Sequence, residues 1–211
     1  MPCAKLDYCL EDFDLLGLLG KGAFGRVYLV QVKEGIPTNL PAGTQLAMKV
    51  MPKKDEVQLK YWKEEREILA MSDNPFVIKL FMAFQNTKFL FLVMEMCPCG
   101  NLKKALDTDK KFSEKVTRSY IAEILISIEY LHSKDVLYRD LKPDNILVDG
   151  NGHLKLTDFG LSKTNVGEQY ASTTFCGTPA YMAPDVIKEI PYGKTVDWYC
   201  VGVLLYEFLH S

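Results

Sequence analysis

The run KFLFLVMEM, residues 88–96, does most to narrow what this chain can fold into. It is almost wholly apolar, rich in β formers and short for a helix, so it reads as a buried strand. Such a strand needs others beside it to pair its backbone groups, and the residues before it supply them. FDLLGLL at 13–19 and RVYLVQV at 26–32 are short β-type runs around a glycine-rich turn. KEGIPTNLPAG, 33–43, reads as a hairpin loop; TQLAMKVM, 44–51, as a third strand; NPFVIKL, 74–80, as a turn and then a strand. From Asp55 to Met71 the period becomes helical, with Trp62, Glu65 and Leu69 on one face.

CPCGN, 97–101, breaks this pattern and reads as a domain boundary. Beyond it, Val116, Tyr120, Ile121, Ile124, Leu125, Ile128 and Leu131 form a helical apolar stripe, with Ser113 as N-cap. NILVDGNGHLKLTDFG, 145–160, reads as two short strands around a DGNG turn. Residues 161–185 are polar and read as a long loop, a length that points to function or disorder. TVDWYCVGVLLYEFLH, 195–210, reads as a helix more buried than amphipathic.

With 211 residues, 48% apolar and 25% charged, the chain can bury a sizeable core. Its net charge of −2 argues against a general nucleic-acid or membrane-surface binder. No apolar run reaches the roughly 18 residues of a membrane span, and the acidic N-terminus does not read as a signal peptide. Six scattered cysteines and three histidines show no zinc spacing and suit free thiols in a reducing compartment.

Three constellations carry chemistry. In GKGAFGRV, 20–27, Gly20, Gly22 and Gly25 let the backbone approach a phosphate. An ordinary hairpin turn would look the same, whereas a dinucleotide fold would continue into a helix, not the strand-like RVYLVQV. Lys49 lies inside an apolar strand, where it needs a phosphate or carboxylate partner such as Glu65, or a route to water. YRDLKPDN, 138–145, followed by DFG, 158–160, gathers the groups phosphoryl transfer uses. Asp140 suits a proton acceptor or hydroxyl orienter, Lys142 a cation for the moving phosphate. Asn145 and Asp158 suit Mg²⁺, which takes hard oxygens and few carboxylates.

In this order the motifs resemble the protein kinase family from about Phe13 onward. Tyr138, the run FCGTPAYMAPD at 175–185 and VDWYCVGVLLYE at 196–207 look like the AGC group of serine/threonine kinases. The resemblance implies an α+β bilobal fold, with a five-stranded N-lobe carrying one helix at 13–96, after an N-terminal extension at 1–12. A mainly helical C-lobe would cover 97–211, with an activation segment at 158–185.

It further implies ATP and Mg²⁺ as cofactors. Leu19, Gly20, Gly22 and Gly25 would lie over the nucleotide, and Lys49 would contact its α/β-phosphates while pairing with Glu65. Val27, Ala47 and Leu147 would enclose the adenine, Met94 would gate the rear, and the Glu95 and Cys97 backbones would meet the adenine edge. Asp140, Lys142 and Thr178 would be catalytic. Asn145 and Asp158 would hold metal, and Thr174 would be a phosphosite read by Arg139. Leu69, Leu80, Tyr138 and Phe159 match the family's apolar stack. Implied partners are a protein carrying Ser or Thr and an upstream activating kinase, with no nucleic acid and no membrane span. The implied location is intracellular, cytoplasmic, with the nucleus also open.

Three departures matter. Asp185 stands where the family has a glutamate, Asn101 where AGC members often have an acid, and Asp144 where a longer glutamate is common. The last two weaken any expectation of substrates with upstream arginines. The chain stops at Ser211, inside its last helix, so a C-lobe truncated within that helix is expected: a fragment, partial gene model or shortened isoform. The competing reading is a catalytically inactive kinase fold that binds nucleotide or regulates.

Overall fold

The computed structural model describes residues 8–22, 25–36, 38–167 and 172–210. Residues 1–7 of the expected extension, Cys3 among them, lie outside the described residues, as do Ala23, Phe24 and 168–171 of the expected activation segment. The chain divides into two compact units, residues 1–66 with 79–96, and residues 67–78 with 97–211.

In the first unit, β1 (Phe13–Gly22), β2 (Gly25–Val32), β3 (Gln45–Pro52), β4 (Leu80–Gln85) and β5 (Phe89–Glu95) form one antiparallel sheet in the order β1-β2-β3-β5-β4. The apolar run is β5, paired on both sides, and Leu90 through Met94 are buried on both of its faces. Cross-strand partners share a face. Val27 opposes Lys49 and Ala47 opposes Met94, so the sheet gathers these four on one side. The other side carries a core of Phe13, Val30, Val32, Leu46, Met48, Met82, Phe91 and Val93, with Phe84 stacked 4.7 Å from Phe91.

Of the turn and strand expected at 74–80, the turn is present and the strand starts later, β4 beginning only at Leu80. Asn74 Oδ1 accepts the Phe76 N–H at 2.9 Å and folds that stretch into a turn. Val77 instead makes an isolated parallel bridge to Leu156, within the second unit. The helix α1 (Glu56–Met71) starts where Asp55 Oδ1 accepts the Gln58 N–H at 2.7 Å. Trp62, Glu65 and Leu69 are all buried, as their spacing predicts.

The second unit holds α2 (Leu102–Asp109), α3 (Glu114–Ser133), the hairpin β6 (Ile146–Val148) and β7 (Leu154–Leu156), α4 (Pro184–Ile187) and α5 (Thr195–His210). Ser113 caps α3 as expected, accepting the Val116 N–H at 3.4 Å. The apolar stripe of α3 is narrower than its sequence implies: Ile121, Ile124, Ile128 and Leu131 are buried, while Val116 and Leu125 are exposed. The long loop of 161–185 contains a 3-10 turn at Pro179–Tyr181 and the start of α4. The helix α5 is one-sided rather than buried all round. Val196, Cys200, Val201, Leu204 and Phe208 face the core, and Trp198, Tyr199, Leu205 and Tyr206 are exposed. Cys9, Cys97, Cys99, Cys176 and Cys200 are free thiols. Among the described residues no helix is long and apolar enough to cross a membrane.

Candidate active site

In the first unit, burial leaves Lys49 8% and Glu65 2% exposed, and Lys49 Nζ lies 2.7 Å from Glu65 Oε1. An ammonium taken from water needs such a counter-charge. The glycines beside it are not equivalent. A Cβ on Gly20 or Gly22 would meet nothing within 4 Å, so both stand beside open space. A Cβ on Gly25 would run into the Val50 carbonyl. Gly25 is thus required by the packing of β2 on β3, apart from any role toward a ligand. Leu19 is exposed on β1. The Glu95 N–H donates to the Lys79 carbonyl at 2.9 Å, and Glu95 Oε1 accepts the Lys79 N–H at 2.7 Å, which fixes the end of β5.

In the second unit, Asp140 is 8% exposed and tightly held. Thr178 Oγ1 donates to its Oδ1 at 2.8 Å, Lys142 Nζ lies 2.8 Å from its Oδ2, and Lys142 also donates to Thr178 Oγ1 at 2.8 Å. The three side chains close a triangle. Asn145 Nδ2 donates to the Asp140 carbonyl and to Oδ2, each at 2.9 Å. That commits the donor end of the amide and leaves its oxygen as the end suited to a cation. Leu147 is central in β6 and bridges Asn101, and Cys97 is buried just before α2.

The loop carrying these groups is held by a residue the sequence reading missed. Asp197, on α5, is fully buried. Its Oδ2 accepts the Tyr138 N–H at 2.9 Å and meets His132 Nε2 at 2.8 Å, and its Oδ1 accepts the Arg139 N–H at 2.9 Å. The available signal was a carboxylate near the start of a largely apolar helix, which burial tolerates only with partners. Arg139, with φ at 71°, and Asp158, with φ at 57°, are both in the left-handed region. Non-glycine residues there carry strain that the surrounding structure must hold. Tyr138 is fully buried, donates its hydroxyl to the Thr157 carbonyl and packs edge-on to Phe159 at 5.3 Å. Burial foremost, then the charges of Asp158, Asp140 and Asp197, pushes its phenol well above the usual range.

The hydrogen bonds of the Arg139 guanidinium go to groups other than Thr174. This group donates to the Leu161 carbonyl at 2.6 Å and to the buried Ser172 Oγ at 3.2 Å. Thr174 is exposed; its N–H donates to the same Ser172 Oγ at 3.5 Å, and its carbonyl accepts from Tyr192 Oη at 2.6 Å.

These residues fit a magnesium nucleotide. Taken unit by unit, Gly20 and Gly22 leave room and the Lys49–Glu65 pair supplies a buried cation in the first, and Asn145 and Asp158 supply hard oxygens in the second. No cluster of three or more His, Cys, Asp or Glu able to hold a metal occurs among the described residues, so such an ion would rely on ligand oxygens as well.

A five-stranded antiparallel sheet in one unit and a helical second unit with this aspartate, lysine and threonine triangle define the class. Residues 13–211 match the protein kinase domain, and the chain belongs to that family. It is 46% identical to protein kinase 3 of Dictyostelium discoideum, over 95% of this chain and 22% of that protein. It is 42% identical to the cAMP-dependent protein kinase type 3 of Saccharomyces cerevisiae, over 96% and 49%. Against the serine/threonine-protein kinase sgk-1 of Caenorhabditis elegans it is 45% identical, over 99% and 44%. The AGC-type resemblance is borne out by these relatives. The chain spans about a fifth to about half of their lengths. The family uses ATP and Mg²⁺.

Proposed function

We propose that this chain is the phosphoryl-transfer domain of a serine/threonine protein kinase, moving the γ-phosphoryl group of ATP to a Ser or Thr hydroxyl of a protein. The observation that carries this reading is the triangle of Asp140, Lys142 and Thr178. Asp140 orients the acceptor hydroxyl and takes its proton, Thr178 fixes that carboxylate, and Lys142 stabilises charge on the moving phosphoryl group. Asn145 and Asp158 are the residues that would hold Mg²⁺, which would supply charge neutralisation when bound. Lys49, set by Glu65, takes the α/β-phosphates. Leu19, Gly20 and Gly22 cover the nucleotide, with Gly25 shaping the turn. Val27, Ala47 and Leu147 receive the adenine, Met94 gates its rear, and the Glu95 carbonyl and Cys97 N–H meet its edge.

Regulation is assigned to Thr174, as the target of an upstream kinase. A phosphate there would compete with Ser172 for Arg139, since both residues already meet at that hydroxyl. Mass spectrometry of active protein showing Thr174 unmodified would overturn this assignment. An intracellular, cytoplasmic setting follows from the same reading, because ATP is supplied there.

The test is transfer of label from γ-labelled ATP to a Ser/Thr peptide, beside the melting shift that Mg-ATP induces. Transfer in the wild type, lost in Asp140→Asn while the shift persists, supports the proposal. A shift without transfer in the wild type supports an inactive nucleotide-binding module instead.

A further inference from the structure

We propose that Ser172 is a positioning residue for the transfer reaction: its buried hydroxyl anchors the Arg139 guanidinium and keeps the transfer centre in order while Thr174 carries no phosphate. This rests on the kinase reading above, and the regulation assigned to Thr174 then acts on top of a basal activity that Ser172 supports. Arg139 immediately precedes Asp140, and its φ of 71° is a conformation the surrounding structure must hold. Asp197 Oδ1 fixes its N–H at 2.9 Å. Its carbonyl has Gly177 packed against it, since a Cβ on Gly177 would come to 2.8 Å from that oxygen. Gly177 adjoins Thr178, whose hydroxyl donates to Asp140. A shift of Arg139 therefore reaches both members of that hydrogen bond.

The guanidinium donates to three oxygens: the Leu161 carbonyl at 2.6 Å, the Ser162 carbonyl at 3.5 Å and Ser172 Oγ at 3.2 Å. Of these, only Ser172 belongs to the stretch that runs on to Thr178, so it ties that stretch to Arg139. Ser172 is itself pinned. It is 1% exposed, its N–H donates to the Tyr192 carbonyl at 2.8 Å, and its carbonyl accepts the Tyr192 N–H at 2.9 Å. Tyr192 Oη in turn donates to the Thr174 carbonyl at 2.6 Å, and the Thr174 N–H reaches Ser172 Oγ at 3.5 Å. A guanidinium drawn out of water needs acceptors. A buried hydroxyl on a fixed backbone is one that needs no modification, and a hydrogen bond from a cation is stronger than a neutral one. A phosphate on Thr174 would exchange this anchor for a charged one.

The experiment compares the wild type with Ser172→Ala, each prepared with and without a phosphate on Thr174 by encoded incorporation of phosphothreonine. Label transfer from ATP to a Ser/Thr peptide is followed at varied ATP, beside thermal melts. Without the phosphate, the wild type transfers, and Ser172→Ala lowers kcat about tenfold, the scale of one hydrogen bond from a charged group. The KM for Mg-ATP is unchanged. With the phosphate, the same substitution costs much less, because the phosphate then serves Arg139. A merely structural role would lower both forms alike. Equal losses in the two forms, or no loss in the unphosphorylated one, overturn this inference and leave the kinase reading standing. So does a wild type that transfers only when phosphorylated. A wild type that labels no peptide in either form overturns both.

Discussion

Thr178 Oγ1 donates to Asp140 Oδ1 at 2.8 Å across 38 residues of sequence. It also accepts from Lys142, so one hydroxyl fixes both the carboxylate and the ammonium. Thr178→Val removes that hydroxyl at nearly constant volume. We expect kcat to fall about 10- to 100-fold, the cost of a misplaced reacting group, while the melting temperature stays near wild type. Thr178→Ser recovers most of the loss. Steady-state kinetics on both variants, with calorimetry, provide the check.

The Lys49–Glu65 pair makes an asymmetric prediction. Glu65→Ala takes its carboxylate away from a buried ammonium, and breaking a buried pair from one side costs about 3–5 kcal/mol. Lys49→Met replaces the cation with an apolar chain of similar length and takes the ammonium away from the Glu65 carboxylate instead. Denaturant titration should show both variants destabilised, and the double variant Lys49→Met, Glu65→Leu less so than either single one. Additive losses in the double variant would contradict the coupling.

The glycines of the β1–β2 turn separate folding from ligand binding. Gly25→Ala meets the Val50 carbonyl and should cost about 1–3 kcal/mol, as overpacking does. Gly22→Ala meets nothing, so stability should change by less than about 0.5 kcal/mol, while Mg-ATP affinity falls. Thermal melts with and without Mg-ATP distinguish the two.

His153 supplies a pH signature. Its Nδ1 lies 2.8 Å from Glu123 Oε1, and this hydrogen bond foremost, with the Glu123 charge, raises the imidazole above its usual value of 6.5. A raised folded value means that the protonated pair stabilises the fold fully below the unfolded value, near 6.5. That contribution is lost as pH rises through the folded value. The melting temperature should therefore drop across this window in the wild type and drop less in His153→Gln. An NMR titration placing the His153 midpoint below 6.5 would contradict it.

Much of this molecule is readable along the chain. The alternation and apolar runs that become β1, β2, β3 and β5, and the 3.6-residue period of α1 and α3, are local patterns, and burial preserves local patterns. A lysine inside an apolar strand and carboxylates clustered in a proline turn announce themselves by their cost in the wrong environment. The reading failed where a local pattern had a competitor. At 74–80 the expected turn formed at Asn74, but the strand after it began only at Leu80. On α5 a largely apolar helix hid which residues face inward, because composition carries little direction when most positions are apolar.

Other relations depend on partners far apart in sequence, and only the folded chain supplies those. Strand register places Val27, Ala47, Lys49 and Met94 on one face of the sheet, since a shift of one residue would turn each to the opposite side. Asp197 holds the Arg139 backbone across 58 residues, and Arg139 rests on Ser172 rather than Thr174. Gly25 answers to Val50, while Gly20 and Gly22 answer to open space. Residue chemistry can be inferred locally because it belongs to the side chain. Which side chains meet is decided by close packing and by the need to pair every buried polar group, and both are properties of the whole fold.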